Sequence, residues 1–149
     1  MTVIVRPVRA EDRAEWDVLY QGYATFYKVA QTPQMRDRVF GWLMDADHSS
    51  EGLVAQDASS GKLIGLTHYR PFVSMLGANV SGFLDDLFVD AAARGSGTAQ
   101  ALINAVGDVA RENGWAKVRW ITADDNYRGR GVYDGVATRT MWITYDMAV

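Results

Sequence analysis

The segment Leu84–Ile103, LDDLFVDAAARGSGTAQALI, constrains the fold more than any other. An apolar, strand-like run carries two adjacent acids, Asp85 and Asp86. It meets a turn of small residues, and a helical repeat follows at Leu102, Ile103, Val106, Val109 and Ala110. A strand that feeds a helix through so short a turn must let the helix pack back over the sheet, which makes the chain α/β. A helix starting near Gly97 or Thr98 leaves its first N–H groups without intrahelical partners and its N-terminal end partly positive. The turn RGSGTA therefore suits two roles. Glycine can simply supply a tight strand-to-helix connection, or the small residues can admit a phosphate to the bare N–H groups, with Arg94 adding a fork of donors.

The remaining elements follow from periodicity and turn chemistry. Val3–Val8 alternates as a strand. Residues 9–27 place Trp16, Leu19, Tyr20, Tyr23, Phe26 and Tyr27 at helical spacing, with Glu11, Asp12 and Glu15 near the helix start. Thr32-Pro33 opens a second helix with Met35, Val39, Trp42 and Leu43 as its expected buried stripe. Leu53–Gln56 and Leu63–Arg70 flank the hairpin-type turn DASSGK, and Val80–Val89 is the next strand. The helix Thr98–Asn113 ends at Asn113-Gly114. Lys117–Thr122 is predicted as a strand, Asp125–Val136 as a weak helix and Arg139–Met147 as a closing strand. Trp115, Trp120 and Trp142 are expected in packing. The order is βααβββαβαβ, a mixed sheet flanked by helices, and 149 residues fit one domain, 1–149.

Composition narrows the chemistry. The net charge of −3 argues against nucleic acid as a partner. The absence of cysteine removes thiolate catalysis, cysteine-based zinc sites and disulfides, and it fits a cytoplasmic setting. Two histidines, His48 and His68, are too few for most all-protein transition-metal sites, so no metal is expected. No apolar run approaches the ~18 residues of a membrane span, and the N-terminus lacks a signal-peptide layout.

The glycine turn is not a Walker A loop, because no Gly-Lys-Ser/Thr follows. It also lacks the third glycine of a dinucleotide fingerprint, where Gln100 stands instead. What remains is Arg-x-x-Gly-x-Ala, at Arg94, Gly97 and Ala99, a pattern for the pyrophosphate of coenzyme A. The paired acids pose a second question. Successive strand residues point to opposite faces, and an unpartnered carboxylate in a covered sheet is expensive. Either internal donors offset that cost, or a wet cleft there binds an amine.

The chain resembles the GNAT superfamily of N-acetyltransferases over nearly its whole length. DLFVDAAARGSGTAQALI is similar to that family's cofactor motif. ADDNYRGRGVYDGVATRTMWITY is similar to its C-terminal segment, in which an Asn precedes a Tyr by seven residues, here Asn126 and Tyr133. Within the superfamily, FLDDLFV and YDGVATRTMWITY look most like the polyamine and histone/polyamine branch. Gly129 and Val132 depart from the family's usual Ala and Leu.

The resemblance implies acetyl-CoA as cosubstrate. Its pantetheine would lie on the backbone of Leu87, Phe88 and Val89, where the strand splays from its parallel neighbour. Its pyrophosphate would lie on Arg94, Gly95, Ser96, Gly97, Thr98 and Ala99, with Asn126 and Tyr133 completing the cofactor site. Arg128 and Arg130 either meet phosphates or are solvated. Tyr133 would protonate the departing thiolate. Asp85 and Asp86 would hold the amine and take its proton, directly or through water, because an amine of pKa near 10 is only about 0.1% neutral at pH 7. Desolvation raising the acid would help. Tyr23, Tyr27 and His68 are further candidates for the amine pocket, by cation–π contact for the tyrosines and by shared proton handling for His68. The implied reaction is direct acetyl transfer in a ternary complex to a small primary amine, polyamine- or amino-acid-like, by a homodimer. A protein or peptide amine as acceptor, and a CoA-binding sensor without turnover, are the alternatives.

Overall fold

The computed structural model describes residues 1–149. Five strands lie in the order β1-β2-β3-β4-β5: β1 (Val3–Pro7), β2 (Glu51–Asp57), β3 (Leu63–Ser74), β4 (Asn79–Val89) and β5 (Val118–Arg119). The first four are antiparallel, and β5 runs parallel to β4. Four helices flank them: α1 (Arg13–Phe26), α2 (Pro33–Met44), α3 (Thr98–Glu112) and α4 (Tyr127–Val136).

Strand alternation sorts the side chains into two cores. Leu53, Ala55, Ile64 and Leu84 meet Leu102, Ile103 and Val106 of α3. Val54, Leu63 and Leu66 meet Trp16, Leu19 and Tyr20 of α1 and Phe40 of α2. The Leu63 N–H donates to Glu15 Oε2 at 2.9 Å, tying α1 to the sheet. On the other face α3 sits close, because a Cβ on Gly65 would meet Leu102 at 3.2 Å and Thr98 at 3.3 Å.

Several expectations need correction. Arg139–Met147 forms no strand. Residues 138–149 are exposed and carry no regular structure, and Trp142, expected in packing, is 81% exposed. The strand predicted over Lys117–Thr122 pairs only at Gly82↔Val118 and Phe83↔Arg119. The buried face of α2 carries Arg36 and Phe40, while Met35 and Trp42 face outward. Arg36 can be buried because its Nε donates to Asp17 Oδ1 at 2.9 Å and its Nη1 to the Gln31 carbonyl at 3.3 Å. Trp42 instead stacks on His48.

Leu102 is fully buried between α3 and the sheet. Leu102→Ala should lower stability by about 2–5 kcal/mol, read as a reduced urea midpoint with an unchanged slope.

Candidate active site

Strand β4 pairs with β5 only as far as Phe83, so its backbone from Leu84 to Val89 has no neighbour on that edge. Buried backbone groups need partners, and here the unpaired edge opens into a cavity of about 440 Å³. The cavity lies between the two helical layers. Tyr23, Phe26 and Tyr27 of α1 line one side, Leu87, Phe88 and Val89 the floor, and Asn126, Val132 and Tyr133 the other side.

The glycine turn closes one end. Gly97 caps α3 at φ +81°, and Gly95 has the same φ. Both are in the left-handed region that favours glycine, and a Cβ at either would project into open space. Gly95, Gly97, Thr98, Ala99 and Gln100 face the cavity. The Arg94 guanidinium lies 5.7 Å from the Phe26 ring centroid and 5.8 Å from that of Phe88, held by a bond from Nε to the Val89 carbonyl at 3.3 Å. Ser96 departs from expectation. Its hydroxyl turns inward, donating to the Ala93 carbonyl at 2.5 Å and pairing with Thr98 Oγ1 at 2.7 Å, so its side chain is absent from the lining.

At the other end, Asn126 caps α4. Its Oδ1 accepts from the Gly129 N–H at 3.3 Å, and its Nδ2 donates to Thr122 Oγ1 at 3.0 Å. A Cβ on residue 129 would come within 2.5 Å of Asn126 Nδ2, so a larger residue there would require the Asn126 amide to shift. Tyr133 packs edge-on against Trp120 at 5.6 Å, and burial raises its pKa, so the phenol keeps its proton at neutral pH. Arg128 lines the cavity, whereas Arg130 donates to the Asp124 carbonyl at 2.6 Å.

The two acids part company at a bulge, where His68↔Asp86 is followed by Tyr69↔Leu84 and Asp85 is the extra residue. The Asp85 side chain, about one-third exposed, pairs with Arg70 Nε at 3.1 Å, and partial burial of its carboxyl outweighs Arg70 and raises its pKa. Asp86 points inward. Its Oδ2 lies 2.8 Å from His68 Nδ1 and accepts from the Tyr20 hydroxyl at 3.0 Å. Burial pushes Asp86 up, but the hydrogen bond and electrostatic attraction of His68, then hydrogen bonds from Tyr20 and Tyr23, reverse the direction and hold it below the ordinary carboxylate value. The desolvation-raised acid expected beside the amine is therefore not Asp86. Neither acid nor His68 lines the cavity; Asp86 is within electrostatic reach of Tyr23, which does. Sequence reading did not single out Phe26 or Gln100, since an exposed aromatic and an uncharged amide carry no signal of their own.

The sequence matches the profile of the Acetyltransferase (GNAT) family over residues 16–135. The chain belongs to that family. It is an acetyl-CoA-dependent N-acetyltransferase. It is 28% identical over 143 residues to the D-amino-acid N-acetyltransferase HPA3 of Saccharomyces cerevisiae, covering 96% of this chain and 89% of the relative. The fold is shared with a ribosomal-protein-alanine N-acetyltransferase from Brucella melitensis biovar Abortus 2308, with TM-score 0.82, 23% identity and full coverage of both chains. It is shared too with AAC(6')-Iy bound to a bisubstrate analog, CoA-S-monomethyl-acetylneamine. There the TM-score is 0.87 at 16% identity, covering 100% of this chain and 99% of the other. These names do not include a polyamine enzyme, so the family is shown and the polyamine branch is not.

The cavity combines an open strand edge, the α3 N-terminus beside Arg94, and space over two left-handed glycines. Gly97→Glu should weaken CoA binding at least ~10-fold by filling that space with a side chain and a like charge. Calorimetry giving the wild-type affinity would move the phosphates elsewhere.

Proposed function

We propose that this enzyme acetylates the primary amine of a small molecule by direct attack within a ternary complex. The observation that carries the reading is the joint placement, around one cavity, of the free β4 edge, the α3 N-terminus and Tyr133, with the Asp86 carboxylate within electrostatic reach of Tyr23.

When bound, acetyl-CoA supplies the activated acyl group. Backbone from Leu87 to Val89 and the turn from Arg94 to Ala99 hold it. Asp86 stays ionised and gives the acceptor side of the cavity a fixed negative charge. Tyr23, which lines the cavity within reach of Asp86, offers hydroxyl lone pairs and a ring face to an ammonium, and Tyr27 extends that aromatic wall. Proton release follows the amine's own ionisation, because a carboxylate with a lowered pKa is a poor base. Tyr133 gives its phenolic proton to the departing thiolate, and the phenolate is restored by the proton that the nitrogen loses, through water, as the amide forms. Asp85, tied to Arg70 outside the lining, has no step in this scheme. His68 is a hydrogen-bond donor to Asp86.

The identity with a D-amino-acid N-acetyltransferase supports an amino-acid-like acceptor, and the acid near an aromatic wall suits any compact ammonium. A thiol-release screen with acetyl-CoA and spermidine, D-alanine, neamine and a peptide with N-terminal alanine decides the class. Turnover of the peptide alone would overturn the small-molecule reading. Tight acetyl-CoA binding with no turnover of any amine would make the chain a sensor.

Tyr133→Phe should lower kcat about 10- to 100-fold, the low end of general-acid effects because a thiolate already leaves well, and leave CoA affinity within about twofold. A full-rate variant removes Tyr133 as the acid. Asp86→Asn should raise the amine's KM about tenfold, the worth of roughly 1.4 kcal/mol of attraction acting past Tyr23 without direct contact. The lowered pKa keeps Asp86 ionised down through the ordinary value near 3.9, while the stability it contributes is complete above that value and is lost progressively as pH falls from there through the lowered folded pKa. Across pH 6–8 the KM effect of Asn should therefore be constant, while kcat/KM of both proteins climbs with the neutral-amine fraction.

The reading extends to a cytoplasmic homodimer. Cysteine-free composition supports the compartment. Residues 138–149 support the second copy: Met141, Trp142, Ile143, Tyr145 and Met147 are all exposed on an unpaired arm, more apolar surface than a lone chain usually shows to water. Light scattering after gel filtration should give twice the chain mass, and deletion of residues 138–149 should return the monomer.

A further inference from the structure

Behind Asp86 lies a buried chain of polar atoms that joins α1 to β3. Trp16 is fully buried and His68 is 4% exposed. The Trp16 Nε1–H points at His68 Nε2 at 3.0 Å, and His68 Nδ1 faces Asp86 Oδ2 at 2.8 Å. An indole nitrogen can only donate. His68 Nε2 must therefore accept, which puts the single ring proton on Nδ1, aimed at the carboxylate. A proton on Nε2 would oppose two donors at 3.0 Å in a site closed to water, and each would lose its partner.

We propose that Trp16 is a positioning residue whose indole locks His68 in the neutral Nδ1–H tautomer, so that Asp86 keeps its whole negative charge for the acceptor amine. The proposal rests on the reading of Asp86 given above. It also removes His68 from proton handling, because one nitrogen already bears the proton and the other is covered. An imidazolium in its place would cancel the Asp86 charge at the acid end of the working range, where an unperturbed histidine titrates.

The surroundings agree with the lock. Facing His68 are Tyr20 from α1, a donor to the same Asp86 oxygen, and Asp86 and Asp85 from β4. Gly52 of β2 lies against the ring edge and brings no titratable group. Asp85 is balanced by Arg70. Phe40 of α2 packs on Trp16 at 4.9 Å, and the Arg13 guanidinium lies 5.7 Å from its ring centroid. The backbone is pinned as well, since Thr67 Oγ1 donates to the Asp86 carbonyl at 2.7 Å.

The test is long-range proton–nitrogen NMR on histidine-labelled protein from about pH 5.5 to 8.5, a window centred near the ordinary histidine range. The chain has only two histidines, and His48→Gln assigns the signals. His68 should show the neutral Nδ1–H pattern throughout. An imidazolium pattern, or an Nε2–H tautomer, overturns the lock, and this readout needs no variant at position 16. In Trp16→Phe the freed Nε2 should take a proton as pH falls. KM should then rise about tenfold between pH 8.5 and 6 relative to wild type, measured with whichever of spermidine, D-alanine or neamine is turned over. Should His68 in Trp16→Phe keep the neutral pattern to pH 5.5, the indole is not the lock. Should His68 titrate there while KM ignores it, the tautomer lock survives and Asp86 as the amine's anion fails.

Discussion

Everything in the site depends on β4 losing its parallel neighbour at Phe83. The two-residue contact with β5 is anchored where Trp115 lies over Gly82. A Cβ at Gly82 would come within 2.6 Å of the indole, so only glycine leaves the ring its place. Past that point β5 ends, and the backbone from Leu84 to Val89 keeps its donors and acceptors on that edge. A buried strand edge is unstable alone. A ligand that mimics a strand satisfies it without moving either helix. On the proposed reading, the open sheet edge positions the cofactor and the glycine turn receives its phosphates.

The same strand sets the charges. Two identical side chains, adjacent in sequence, acquire opposite pKa shifts because the bulge sends them to different surroundings. Desolvation acts on both. At Asp86 it is outweighed by donors from His68 and Tyr20, while at Asp85 the half-exposed Arg70 offsets it only in part. Both carboxylates can be ionised, but the guanidinium beside Asp85 cancels much of its field at a distance, and Asp86 has no guanidinium beside it. The arrangement favours Asp86 as the field that draws a cation in, even though Asp85 has the more basic carboxyl.

Much of this was legible from residues 84–103. The strand, turn and helix fell where periodicity and glycine chemistry put them, and Arg94, Gly97 and Ala99 do surround one end of the cavity. What escaped were properties of pairs rather than of residues. Trp16 looked like one more core aromatic, because nothing local shows that its N–H meets His68 fifty-two positions away. The burial of Arg36 had no signal in its own helix, because its partner, Asp17, lies on another one. Ser96 was read as facing the phosphates, since loop hydroxyls give no sign of whether they turn to a ligand or to their own backbone. The final strand failed for a different reason. Alternation at Met141–Met147 gives strand propensity, but propensity needs an edge to pair with, and within this one chain the arm meets none.

Helix α4 carries glycines at 129, 131 and 135 in ten residues, a poor composition for a helix, at roughly 1 kcal/mol each relative to alanine. All three line the cavity. At Gly131 and Gly135 a Cβ would meet nothing within 4 Å, so these positions are not glycine to relieve crowding inside the protein. They are bare where the wall faces the ligand. The Asn126 cap and the Tyr133–Trp120 contact hold the helix against its weak propensity. A wall of this kind is most stable when something fills the space it leaves, which on the proposed reading couples the ordering of Tyr133 to occupancy of the cavity.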